Sequence, residues 1–234
     1  MEKEKGHIIK KAAKVARRIL EPAGYKVLPE SATIDFYLHK YSSYEQYRDT
    51  QILHNKRKLK KVWADKDTLR KIGEKIRELY PDRKIRGLCH GTRNGFEQNF
   101  FVDEFGFDMV GTDISDTATQ FPNSVQWDFH DRNEDWVGQF DFVYTNSHDQ
   151  GWNPQQAFTT WLEQIKDDGV LFIEHTKVHG PEHASEMDPF GVRPVAFPYV
   201  MCEWFGRKIS MEFFKTSKQE RNIEAHIFII SKNK

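Results

Sequence analysis

Ile85-Arg86-Gly87-Leu88-Cys89-His90 is followed by Gly91-Thr92-Arg93-Asn94-Gly95, then by Phe96-Glu97-Gln98-Asn99-Phe100-Phe101, and then by Asp108-Met109-Val110-Gly111-Thr112-Asp113. The order is apolar strand, glycine turn, helix, second strand, acid. This is half of a nucleotide-binding α/β fold. Glycine lets backbone approach a ligand closely, the helix N-terminus offers unpaired N–H groups, and an acid roughly 20 residues on can accept both hydroxyls of a ribose. A dinucleotide site would want three glycines at G-x-G-x-x-G spacing, and this turn lacks that spacing.

The segments downstream arrive in a matching order. Ser124-Val125-Gln126-Trp127-Asp128-Phe129 reads as a third strand, Phe140-Asp141-Phe142-Val143-Tyr144-Thr145-Asn146-Ser147 as a fourth, and Gly169-Val170-Leu171-Phe172-Ile173-Glu174-His175 as a fifth. The fifth is entered through a glycine turn after a helix spanning residues 154–166. Lys208 to Thr216 and Glu224 to Ser231 alternate as two further strands. Together these segments resemble the class I S-adenosylmethionine-dependent methyltransferases. Gly91 and Gly95 fit the outer glycines of that family's first motif. Cys89 stands where the family usually has an acid, and Arg93 replaces the middle glycine.

The resemblance implies an α/β, Rossmann-like fold: a seven-stranded, mostly parallel sheet with helices on both faces, here carrying an N-terminal helical extension. It implies S-adenosylmethionine as cofactor, held by His90, Gly91, Thr92, Arg93, Gly95, Asp113, Ile114, Asp128, Phe129 and Asn146. Asp113 would take the ribose hydroxyls, Asp128 the adenine amino group, and Phe129 the adenine ring. Each has a plainer reading: Asp113, Ser115 or Asp116 as a helix cap, Asp131 sharing the role of Asp128, the glycines as a tight turn, and Arg93 reaching either the methionine carboxylate or solvent.

A methyl group carried on sulfonium needs only placement and removal of the acceptor's proton, for which histidine is the usual base. His148 and Asp149 follow the fourth strand, where open α/β sheets place their ligand crevice, and His175 ends the fifth. These three are the catalytic candidates, with His148 first. His175, His179 and His183 recur every fourth residue, but Gly180 and Pro181 break any helix that would align them on a metal, so a substrate loop is expected and no metal. The turn Asp188-Pro189-Phe190-Gly191 is expected to close the acceptor pocket or to be a plain structural turn.

Charge divides the chain although its net charge is zero. Residues 1–84 hold 22 Lys and Arg against 12 Asp and Glu, and residues 85–234 hold 13 against 23. A basic helical extension over 1–83 and a methyltransferase domain over 84–234 are therefore expected, with helices at Glu4 to Leu20, Tyr44 to Trp63 and Asp67 to Leu79. The extension reads three ways: a nucleic-acid surface built on Lys56-Arg57-Lys58-Leu59-Lys60-Lys61, a solvated face docked on the acidic domain, or a lid using Tyr37, Tyr41, Tyr44, Tyr47 and Gln51. No run of 18 apolar residues predicts a membrane span, and the charged N-terminus is unlike a signal peptide. Two cysteines, Cys89 and Cys202, give no disulfide framework and suit a cytoplasmic setting. The reading is a methyltransferase acting on a small-molecule or glycan acceptor at oxygen; RNA or protein methylation and a non-catalytic cofactor-binding module stand as alternatives.

Overall fold

In the computed structural model, which describes residues 2–24, 34–218 and 223–233, one sheet organises the chain from Phe36 onward. Its elements are β1 (Phe36–Leu38), α2 (Tyr44–Arg57), α3 (Lys66–Leu79), β2 (Arg86–His90), α4 (Phe96–Phe105), β3 (Asp108–Asp113), β4 (Ser124–Gln126), β5 (Phe140–Thr145), α5 (Pro154–Gln164), β6 (Ile165–Thr176), β7 (Phe190–Val192), α6 (Phe197–Phe205), β8 (Ile209–Lys218) and β9 (Ile223–Lys232). The helix α1 (Glu2–Leu20) belongs to a separate unit, Met1–Asp35, and ends at a Pro22-containing turn with Gly24 at φ 88°.

The seven strands run in the order β4-β3-β2-β5-β6-β9-β8. Pairs from β4 to β6 are parallel, and β9 alone runs against its neighbours β6 and β8. The expected seven-stranded, mostly parallel α/β fold is therefore present. Parallel strands buried on both faces need continuous apolar sequence, and all six residues of β5 are buried. One face packs α5 and α6 through Ala157, Phe158, Trp161, Phe197 and Met201; the other packs α3 and α4 through Leu69, Ile72, Ile76, Phe100 and Phe101.

The sheet's amino-terminal edge is fixed by Asp141. Its buried carboxylate accepts from the Arg86 backbone N–H at 2.8 Å, Arg83 at 2.9 Å and Lys166 at 2.8 Å. In Asp141→Ala the two cations, more than a third exposed, rehydrate, whereas the Arg86 N–H is left unpaired. A loss of about 2–3 kcal/mol is expected, read as a lower urea midpoint; an unchanged midpoint would contradict the assignment.

Four expectations change. Residues 36–83 sit in the same compact unit as the sheet rather than forming an extension with α1, because α3 contributes its apolar face to the core and β1 pairs antiparallel with β7. The α2 helix stops at Arg57 instead of running to Trp63. The turn beyond it is held open by the glycine turn, where Asn94 Nδ2 donates to Leu59 O at 2.9 Å and Arg93 donates to Lys61 O at 3.1 Å. The third strand keeps only Ser124–Gln126, so Asp128 and Phe129 lie in the following loop. The fifth begins early, at Ile165, with no turn between it and α5.

Candidate functional site

The carboxyl ends of β2, β3 and β5 meet around the glycine turn. Gly91 has φ 70°, and a Cβ there would lie 2.6 Å from the Ser147 Cβ, so only glycine lets the turn pass this close to the end of β5. Arg93, in the place of a middle glycine, takes the left-handed conformation glycine would supply, at φ 48°. Its backbone N–H donates to Asp113 Oδ2 at 2.9 Å, while its side chain is directed to Lys61 O. Gly95, at φ 76°, caps α4 with no side chain in the way.

Asp113 ends β3, nearly fully buried. Its Oδ1 accepts from Ser115 N at 2.9 Å and its Oδ2 from Arg93 N, which leaves further acceptor capacity on both oxygens. Burial pushes its pKa up, and these N–H groups together with Asn55 of α2 oppose the rise. The cap of the next turn is Ser115, whose hydroxyl accepts from Thr117 N. Asp128 is pinned from two sides: Oδ1 faces His130 Nδ1 at 2.6 Å and Oδ2 accepts from Tyr44 OH at 2.6 Å. Burial lifts its pKa, but hydrogen bonds from His130 and Tyr44 outweigh this and leave it below the usual range.

Two cavities open here. The first, about 30 Å³, is lined by Gly91, Arg93, Asp113, Ile114, Asp128 and Phe129 from the sheet side, and by Tyr47, Gln51 and Asn55 of α2. The second, about 440 Å³, is lined by Thr92, Glu97, Asn146, Asp149, His179 and His183 among others. Gly91, Arg93, Lys58, Gln150 and Asp188 line both, so the compartments share a wall. The first has the donor set an adenosyl group needs: paired carboxylate acceptors, a ring face and a glycine cradle. Its size is below the roughly 300–1,000 Å³ of ligand pockets, so a cofactor enters only if α2 withdraws. Tyr47 is buried against Tyr44 and Trp152, and Gln51 donates to Met187 O at 3.0 Å, which makes α2 a packed cover.

Several candidates fall elsewhere. His90 lines neither cavity: its ring is buried between Thr112 Oγ1 and Gln164 Oε1, each at 2.8 Å, and stacks on Trp161. Even side-chain alternation along β2 sends residue 90 to the opposite face from Cys89. His148 and His175 also lie behind the wall of the second cavity. Their rings share a hydrogen bond, Nε2 to Nδ1 at 2.7 Å, against Phe197. Burial holds both neutral, His148 well below its ordinary pKa and His175 at about 3. Of the three catalytic candidates, only Asp149 faces a cavity. Burial first, and then the charge of Asp188, raise its pKa well above the carboxylate range.

The helix break at Gly180 and Pro181 does not keep the histidines apart. A 3-10 turn over Lys177–His179 returns His179 to His148 and His175, with ring nitrogens within 4.8 Å of one another. The Thr176 backbone N–H donates to His179 Nδ1 at 3.0 Å, so that nitrogen keeps its lone pair and the proton sits on Nε2. As seated, His179 Nε2 is a hydrogen-bond donor, 3.9 Å from Asp149 Oδ2, rather than a metal ligand. Sequence reasoning missed Glu97, whose place in the first turn of α4 reads as an ordinary partner for a helix dipole, and it missed the Tyr44–Asp128–His130 network, in which Tyr44 lies 84 residues from Asp128.

No family model matches the chain, and no curated protein matches its sequence. Solved structures match its fold. A 1,6-didemethyltoxoflavin-N1-methyltransferase from Burkholderia thailandensis, with bound 1,6-didemethyltoxoflavin and S-adenosylhomocysteine, has a TM-score of 0.63 at 10% identity, covering 83% of this chain and 92% of that one. The plantazolicin methyltransferase BpumL, in complex with a triazolic desmethylPZN analog and SAH, has 0.59 at 10%, covering 81% and 98%. The CurJ carbon methyltransferase has 0.55 at 12%, covering 72% and 54%. The chain has the class I S-adenosylmethionine-dependent methyltransferase fold. No helix among the described residues is long and apolar enough to cross a membrane.

Proposed function

We propose that this protein is an S-adenosylmethionine-dependent methyltransferase acting on a small-molecule acceptor, at an oxygen. The observation that carries this reading is the shared wall: the cavity holding Asp113 abuts, across Gly91, a larger cavity holding Asp149. Donor and acceptor compartments that meet at one point are what methyl transfer requires. Two of the similar structures, which hold S-adenosylhomocysteine together with 1,6-didemethyltoxoflavin in one and a triazolic desmethylPZN analog in the other, support the same reading.

The cofactor, when bound, supplies a methyl group already activated on sulfonium. Asp113 would hold its sugar, Asp128 and Phe129 its base, and α2, moved outward from its present seat to make room, would still lie over them and exclude water. On the acceptor side, His179 Nε2–H would orient a hydroxyl and Asp149 would take its proton, since a carboxylate raised by burial is a stronger base than a solvated one. Fixing nucleophile and methyl in line is worth about 7–11 kcal/mol of the barrier. The larger cavity, about 440 Å³, has room for a small molecule or a single sugar unit.

The test uses purified protein, methyl-labelled cofactor and a metabolite extract. Label should appear in a low-mass product whose methyl carbon chemical shift places it on oxygen. Label confined to RNA or protein would overturn the acceptor assignment, and no label in any fraction would count against the enzyme.

A further inference from the structure

One buried acid is left out of that scheme. Glu97, in the first turn of α4, is 6% exposed and lines the larger cavity beside Asn146 and Thr92. Its Oε1 accepts from Asn146 Nδ2 at 3.2 Å, and its Oε2 is buried with no hydrogen-bond partner. A carboxylate held away from water with a free oxygen is costly unless a cation or donor completes it. The charged and titratable groups around it are Arg93 from the glycine turn, Cys89 of β2, Tyr144 of β5 and Glu174 of β6. Arg93 has turned its guanidinium to Lys61 O, and Tyr144 donates to Glu174 at 2.6 Å, so neither of these contacts goes to Glu97.

We infer that Glu97 is the ammonium receptor of the cofactor site, taking the α-ammonium of the amino-acid tail where that tail passes Gly91 into the larger cavity. The inference rests on the adenosyl reading of the first cavity and adds a residue to it. Cys89, fully buried and absent from both cavity linings, offers no carboxylate to a ligand. Glu97 reaches the same end of the turn from the helix instead. Burial lifts its pKa to about 7 against the pull of Asn146 and Arg93. Binding an ammonium favours the ionised form, so below pH 7 a proton must leave as the ligand enters. Affinity for an ammonium-bearing ligand is therefore full above pH 7 and declines as pH falls through it, approaching tenfold per unit.

The test compares S-adenosylhomocysteine, which carries the tail, with 5′-methylthioadenosine, which lacks it, by calorimetry between pH 6 and 8.5. Wild type should bind the first ligand more weakly as pH falls below 7 and the second without that trend. Glu97→Gln should weaken S-adenosylhomocysteine about 10- to 100-fold at pH 8, flatten its pH dependence, and leave 5′-methylthioadenosine unchanged. Should that variant fold poorly, wild-type enthalpies in two buffers of different ionisation heat serve: near pH 6, close to one proton is released by the first ligand and none by the second. Wild-type affinity in Glu97→Gln, equal losses for both ligands, or no proton release would overturn the inference. Failure of wild type to bind either ligand would instead overturn the adenosyl reading beneath it.

Discussion

Asp113→Ala is expected to lower S-adenosylhomocysteine affinity at least about 100-fold. The carboxylate is proposed to make two charge-assisted hydrogen bonds to the sugar, each worth about 1.5–3 kcal/mol, and alanine offers neither. The substitution also strands the Arg93 and Ser115 N–H groups that Asp113 now accepts. Asp113→Asn weighs the two effects, since it keeps nearly the same volume and one acceptor oxygen, and so strands one of the two backbone N–H groups where alanine strands both. If the adenosyl assignment holds, the asparagine variant melts above the alanine variant yet still loses much of its affinity. Calorimetric affinities for both variants, set beside their melting temperatures, decide the matter; an alanine variant with wild-type affinity would remove Asp113 from the site.

Asp149→Asn carries the second large effect, on rate rather than binding. A positioned base contributes about 10²–10⁴-fold, and asparagine keeps the shape while losing the basic lone pair. The wild-type rate should climb with pH as Asp149 ionises, because its folded pKa is raised and only the ionised form accepts a proton. That climb should vanish in Asp149→Asn, with affinity for S-adenosylhomocysteine unchanged. His148→Gln discriminates between the two neighbours. His148 is buried behind the wall against Phe190 and Phe197, so replacing it should act through stability and not through the pH profile. A lost pH profile in the histidine variant, with the aspartate variant active, would move the base one residue back along the chain.

That single-residue difference marks where the sequence stops being legible. Continuous apolar runs such as Phe140 to Thr145 announce buried parallel strands because both faces are covered, and glycines at 91 and 95 announce a turn only they tolerate. The acid ending β3 follows from the same pattern. Which of His148 and Asp149 faces the cavity depends on a short 3-10 turn that no period describes. The histidine loop is similar: Gly180 and Pro181 do break the helix, yet a cap at Thr176 folds His179 back onto its partners. His90 stands next to the glycine turn in sequence but is turned away from it by strand alternation. The pairing of β1 with β7 joins two three-residue strands more than 150 residues apart, too short to be read as strands and too distant to be paired by inspection. Tyr44 on Asp128 and Asn55 at Asp113 depend on that same long-range docking of α2, so the cover over the first cavity was visible only as a cluster of tyrosines.

The most direct measurement is a crystal structure of the protein soaked with S-adenosylhomocysteine. The ribose hydroxyls should lie within hydrogen-bond distance of Asp113 Oδ1 and Oδ2, with the adenine against Phe129, α2 shifted outward and the sulfur facing the cavity that holds Asp149. A ligand bound away from Asp113, or crystals that take up none at saturating concentration, would contradict it.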